Sequence, residues 1–384
     1  MTATESLLDL LTLTAARGGS DLHVTAGAPP LVRVQGELRA LTDSPALTSE
    51  DTKSLVYARL TDRQRARCEA GEEVDLSFGV PGLARFRANV FRQRGTVAAV
   101  YRLIPEQIPS FDELGLPNVV PGLTALANGL VLVTGPAGSG KSTTLAAMVD
   151  KINVDRKGHI LTIEDPIEFL HLHKSSIVNQ REIHTDSTSF GSALRAVLRE
   201  DPDVVLIGEM RDVETIEVAL QIAETGHLTL ATLHTGSTVQ TINRIIDMFP
   251  ASQQEQVRLQ LAMVLEAVVC QTLVPTVEGD ERVVATEVMI ATPAIRNLIR
   301  DGKNQQVYSA IQTGRDKMAM QTMNQSLAEL VGEGRVTTQR ALAHSSNRDE
   351  LQEILRRKSG RETGVRRLTV SREHPPPGGR VVSR

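Results

Sequence analysis

Cysteine is scarce: the 384 residues contain only Cys68 and Cys270, about two hundred positions apart. Two such thiols supply neither a four-cysteine zinc module nor a disulfide framework, so both are expected as buried small hydrophobes in a reducing setting. An excess of positive charge is also lacking. The formal net charge is −4, which gives no overall basic field of the kind that holds nucleic acid. Long apolar runs are missing too. The best of them, Leu261–Val274, is interrupted by Glu266 and Gln271 and reads as a buried helix rather than a membrane span. The opening residues show no basic stretch followed by an apolar core, so no leader peptide is expected. Any membrane association is then expected through a partner, without direct insertion. What remains, 41% hydrophobic and 23% charged residues, suits a globular protein of two or three domains.

Three regions and a tail can be separated. Residues 1–105 open with an amphipathic helix (Leu7, Leu8, Leu11) and continue with alternating runs such as Leu31–Val34 and Arg85–Phe91, an α+β pattern. Prolines at 105, 109, 117 and 121 mark a linker over 106–121. Over 122–359 the apolar runs Leu130–Thr134, Ile160–Ile163, Val204–Ile207 and Leu228–Thr232 alternate with helical segments, which predicts an α/β domain with a mostly parallel sheet. Residues 360–384 are polar and rich in arginine, and disorder is expected there.

The run Gly135-Pro136-Ala137-Gly138-Ser139-Gly140-Lys141-Ser142, followed by Thr143, fits G-x-x-x-x-G-K-[ST] in full. It follows a strand and opens a helix whose Leu145, Val149 and Ile152 share a face, the setting in which this motif is a phosphate-binding P-loop. Glycines let backbone N–H groups turn toward phosphates at the positive end of a helix. Lys141 is expected on the β- and γ-phosphates of ATP, and Ser142 on Mg²⁺.

Two further strands end in carboxylates: Ile163 runs into Glu164-Asp165-Pro166-Ile167-Glu168, and Ile207 into Gly208-Glu209. Ligands of open α/β sheets sit at the carboxyl ends of strands, so these acids are expected to face the nucleotide. Hydrolysis needs one carboxylate to position or deprotonate water and others to help hold Mg²⁺. Glu209 is expected at the water, Glu164 is the alternative, and Asp165 joins Ser142 as a candidate metal group. His227 and His234 flank another strand; His227 is expected in the preceding turn and His234 at the carboxyl end, near the γ-phosphate.

At these residues the chain resembles the secretion ATPases of type II secretion and type IV pili. Leu198–Asp212 is similar to that family's signature throughout, Glu164–Glu168 to its aspartate box and Glu224–His234 to its histidine box. The resemblance runs from about Leu7 through Leu330. It implies a PAS-like N-terminal α+β domain before a RecA-like α/β ATPase domain. It further implies a cytoplasmic homohexamer held at the inner membrane through a pilus platform protein. Ser20–His23 and Ala294–Asp301 resemble the branch that retracts pili in twitching motility, with Asp301 one methylene short of that branch's glutamate. From the residues alone, Ala294–Asp301 is an amphipathic helix with Ile295, Leu298 and Ile299 on one stripe and Arg296 and Arg300 on another. Extension and secretion ATPases of the family usually carry a tetracysteine zinc module, which two distant cysteines exclude. An accessory ATPase with the same chemistry and a nucleotide-gated scaffold without turnover are the rival readings. The resemblance also implies that Arg87 and Arg102 reach the nucleotide of a neighbouring subunit as arginine fingers.

Overall fold

The computed structural model describes residues 6–34, 36–41, 43, 45–104, 107–279 and 281–357. Pro105 and the tail at 360–384 lie outside them. Packing divides the chain into two compact units. One holds Met1–Pro109 with Val149–Gly208, and the other Ser110–Met148 with the chain from Glu209 onward.

In the first unit, β1 (Asp21–Val24), β2 (Leu31–Val34), β3 (Glu37–Ala40), β4 (Val74–Val80), β5 (Ala84–Gln93) and β6 (Thr96–Ile104) form a sheet in the order β3-β2-β1-β6-β5-β4. All of its pairings are antiparallel. Alternation of side chains gives each strand two faces. β5 buries Ala84, Phe86, Ala88 and Val90 and turns Arg85, Arg87 and Asn89 the other way. On the buried face, Leu10 and Leu11 of the helix Leu7–Ala16, Leu55 and Val56 of Ser49–Tyr57 and Cys68 of Asp62–Glu69 join Phe86 and Tyr101 in one core. Each of these helices starts on a capping box, Ser6 with Asp9, Thr48 with Asp51 and Thr61 with Gln64, which satisfies backbone donors left over at a helix start. Leu8, expected on the apolar stripe, is exposed, and Leu10 takes its place beside Leu7 and Leu11.

From Gly129 the expected alternation of strand and helix is present: β7 (Gly129–Thr134), β8 (His159–Glu164), β9 (Ile177–Glu182), β10 (Val204–Ile207), β11 (Leu228–Leu233), β12 (Leu265–Pro275) and β13 (Arg282–Ile290). In the first unit β8 pairs in parallel with β9 and with β10. In the second, β7 pairs in parallel with β11 and β12, and β13 closes the edge antiparallel to β12. β7, β10 and β11 are buried along their whole length, which is why they read as continuous apolar runs.

The expectation of a single buried helix over Leu261–Val274 fails. The helix Ala251–Val264 ends there and β12 begins at Leu265. Val268 and Val269 suit a strand inserted between β7 and β13, and the two polar interruptions both have partners. No helix of the described residues is long and apolar enough to cross a membrane. Cys68 and Cys270 are both buried and unpaired as disulfides, and burial pushes the Cys270 thiol up to about 12.

Candidate active site

β7 delivers the chain into the glycine-rich loop, and the helix Lys141–Asp155 leaves it. Gly135 has φ 145°, in the region that side chains avoid. A Cβ there would lie 2.2 Å from the Gln271 carbonyl oxygen and 2.6 Å from Ser139 Oγ, so the position admits only glycine. Leu145, Val149 and Ile152 are all buried, as the helical spacing predicts. Lys141 is 8% exposed, and its Nζ donates to the carbonyls of Gly135 at 2.9 Å and Pro136 at 3.0 Å.

His234, just past the end of β11, brings two expected residues together. Its Nδ1 lies 3.4 Å from Lys141 Nζ and its Nε2 3.1 Å from Glu209 Oε1. An ammonium only donates, so Nδ1 is the accepting nitrogen and the neutral ring carries its proton on Nε2, pointed at the carboxylate. Arg211 Nη2 holds the other oxygen of Glu209 at 2.8 Å. Partial burial alone would push the Glu209 carboxyl up, but the hydrogen bond and positive charge of Arg211 and the hydrogen bond from His234 outweigh it and hold the carboxyl below its ordinary value. Glu209 is therefore ionised at neutral pH. His227 stays in the turn before β11, bonded locally to Ile222 and Thr225.

Glu164, the last residue of β8, is a different kind of acid. Burial pushes its carboxyl up to about 7, against hydrogen bonds from Thr162 Oγ1 at 2.7 Å and Gln180 Nε2 at 3.2 Å. The loop after it hangs on β9. Gln180 also bonds Phe169 and His171, and Glu182 accepts the Ile167 N–H at 3.1 Å along with Arg85 Nη2 at 2.8 Å. Neither Gln180 nor Glu182 was legible as a site residue, because both sit in a polar strand with no motif. Asp165 is exposed, and Ser142 is half-buried in the first turn of its helix.

The raised carboxyl of Glu164 has a consequence for stability. The native chain keeps a proton there from the ordinary value of 4.5 up to about 7, while the unfolded chain releases it. Stability is thus lost as pH rises through that window. Glu164→Gln should change the thermal midpoint little near pH 5 and raise it by about 2–8 °C near pH 8, as differential scanning calorimetry will show.

Arg87 and Arg102 lie opposite one another across β5 and β6, on the face turned away from the core. Asp21 comes next in the same row and accepts Arg102 Nε at 2.8 Å, which leaves the Arg102 side chain 68% exposed. Arg87 is 3.9 Å from Asp75 and half-exposed. Two like charges directly opposite each other destabilise a strand pair, and the carboxylates of Asp21 and Asp75 beside them offset that repulsion.

The helix Pro293–Arg300 starts where expected, with Thr292 as cap and Pro293 in the first turn. Ile295 and Ile299 are fully buried. Arg296 is spent internally: Nη1 donates to the carbonyls of Ala262 and Met263, Nε to that of Ala291, and Nη2 pairs with Glu266 at 2.7 Å. Arg300 is exposed.

A glycine-rich loop between a parallel strand and a helix, with a buried lysine and a histidine–carboxylate pair against it, defines a P-loop nucleotide-binding protein. The profile of the family "Type II/IV secretion system protein" matches residues 102–366, and the chain belongs to that family. It is 50% identical to the Pseudomonas aeruginosa type IV pilus retraction ATPase PilT over 335 residues, 87% of this chain and 96% of that one. It is 41% identical to the type IV pilus ATPase PilU of the same organism over 347 residues, 90% of each chain. The crystal structure of the pilus retraction motor PilT with bound ADP superposes with a TM-score of 0.86 at 51% identity, covering 91% of this chain and 99% of that one.

Proposed function

We propose that this chain is an ATP-hydrolysing motor that powers type IV pilus retraction, working as a homohexamer. The observation that carries it is the meeting of Lys141, His234 and Glu209 at the mouth of the P-loop, in a chain that matches PilT over nearly its full length. The residues fit a nucleotide. Ser139 Oγ is buried with no hydrogen-bond partner among the described residues, and Gly135 lets the loop pass close to the β12 backbone, where a Cβ would strike the Gln271 carbonyl. The Gly135–Gly140 loop cradles the phosphates through backbone N–H groups, Pro136 having none to give, Lys141 neutralises them, and Ser142 and Thr143 follow at the helix start. Mg²⁺, held by Ser142 with Asp165 as a further candidate, would supply charge neutralisation on the phosphates. Ionised Glu209 orients the attacking water and takes its proton, with the Nε2 proton of His234 fixing the carboxylate. Glu164, whose carboxyl titrates near neutrality, is the second acid. Arg87 and Arg102 complete the site of the neighbouring subunit. The outlet of the work is an inner-membrane platform protein, which holds the cytoplasmic ring at the membrane without insertion. We further propose a division into an N-terminal domain to 105, a linker over 106–121 and an ATPase domain over 122–359.

An accessory motor of the PilU kind is the second reading, favoured by the 41% identity already noted. Chromosomal Lys141→Ala decides between outputs. Removing the cation that faces the phosphates should abolish phosphate release by the purified protein and leave cells piliated and unable to twitch. Cells without pili would point to an extension motor. Twitching at the wild-type rate would point to an accessory one, and wild-type protein that binds ATP without releasing phosphate would point to a scaffold.

A further inference from the structure

We propose that Gln271 is a positioning residue for the phosphate-binding loop, its carboxamide aiming the Gly140 N–H into the phosphate cradle. This rests on the nucleotide-binding reading above. β12 runs beside β7 right up to the loop, with Cys270 in register with Thr134. Gln271, the next residue, is 1% exposed. Its Nε2 donates to the Ser139 carbonyl at 2.7 Å, and its Oε1 accepts the Thr144 hydroxyl at 3.0 Å. The carbonyl only accepts, so the amide has one admissible orientation. In a planar trans peptide the C=O and the following N–H point in opposite directions. A donor that fastens the Ser139 carbonyl from outside the loop therefore holds the Gly140 N–H on the opposite side.

The same amide ties the loop to the helix that leaves it. Thr144 is 2% exposed, and its N–H bonds the Gly140 carbonyl at 3.0 Å, so loop, helix start and strand are joined through one side chain. The fit is close: a Cβ on Gly140 would lie 3.2 Å from Nε2, and one on Gly135 would strike the Gln271 carbonyl. The site asks for a donor and an acceptor at the end of two methylenes. Glutamine supplies both, and asparagine is too short.

The test uses the full-length protein and ADP as probe, with Gln271→Met and Gln271→Glu beside the wild type. Met fills the space but leaves the Ser139 carbonyl and Thr144 hydroxyl without partners. ADP affinity near pH 8 should fall about tenfold or more, the scale of a buried polar group left unpaired. KM for ATP should rise with it, while kcat changes less than about threefold, because the chemistry at Glu209 is untouched. Gln271→Glu should show the same loss near pH 8. As pH falls and the introduced carboxyl takes up a proton, it regains a donor for Ser139, and its ADP affinity should climb back toward the wild type measured at the same pH. The Gln271→Met deficit should stay constant with pH. A purely structural role would lower the thermal midpoint of both variants without this difference. If Gln271→Met binds ADP within about twofold of wild type, the assignment is overturned; should the Glu variant not fold, the Met variant alone decides. Failure of the wild type itself to bind ADP would instead sink the nucleotide-binding reading.

Discussion

Purified Glu209→Gln protein should keep ATP bound while its turnover falls by about a hundredfold or more, the scale set by loss of a general base. The geometry separates this residue from the other acid. Glu209 is held ionised by Arg211 and by the Nε2 proton of His234. Glutamine keeps an oxygen for one of those two donors, and it removes the negative charge that draws a proton from water. Glu164 begins from the opposite condition, with burial lifting its carboxyl to about 7. A phosphate-release assay with nucleotide affinity measured in parallel tests the assignment. Normal turnover in Glu209→Gln together with a dead Glu164→Gln would exchange the two roles.

Arg102→Ala protein should be nearly inactive as well, and the mixture should be more active than either parent. A ring needs a heterologous, head-to-tail interface, so each site can draw on two chains. If Arg102 acts on its neighbour's nucleotide, Arg102→Ala and Glu209→Gln proteins reassembled in equal amounts form rings with intact sites. About a quarter of the interfaces would pair an intact Glu209 with an intact neighbouring Arg102 under random assembly. ATPase activity should return to at most about that fraction of wild type. Asp21 pins the Arg102 Nε and leaves the rest of the guanidinium outward, as a finger requires. No recovery, with subunit exchange confirmed by labelled chains, would place Arg102 in its own chain's site.

What could be seen in the sequence follows from which forces are local. β7, β8, β10 and β11 were legible because burial on both faces demands continuous apolar runs. β5 was legible because one face is core and the other polar. The P-loop was legible because its backbone geometry admits so few residues. Leu261–Val274 was not, since a short apolar run looks alike in a buried helix and a buried strand. Its break at Leu265 is decided by pairing with β7 and β13, partners distant in the chain. The same holds for the polar residues inside it. Glu266 meets Arg296 thirty positions on, and Gln271 meets Ser139 more than a hundred positions back. The titration of Glu164 was hidden for the same reason, because no local pattern records burial.

Genetics will meet the two arginines of the Pro293–Arg300 helix as different objects. Arg296 acts as a rivet that closes the end of the helix Ala251–Val264, and a lysine could not reproduce its fork of contacts. Arg300 lies on the surface. A loss-of-motility allele at Arg296 therefore maps a joint inside the molecule, recessive and sensitive to temperature, whereas an allele at Arg300 maps its outside. Suppressors of the first should arise within this chain, and suppressors of the second in whatever touches it.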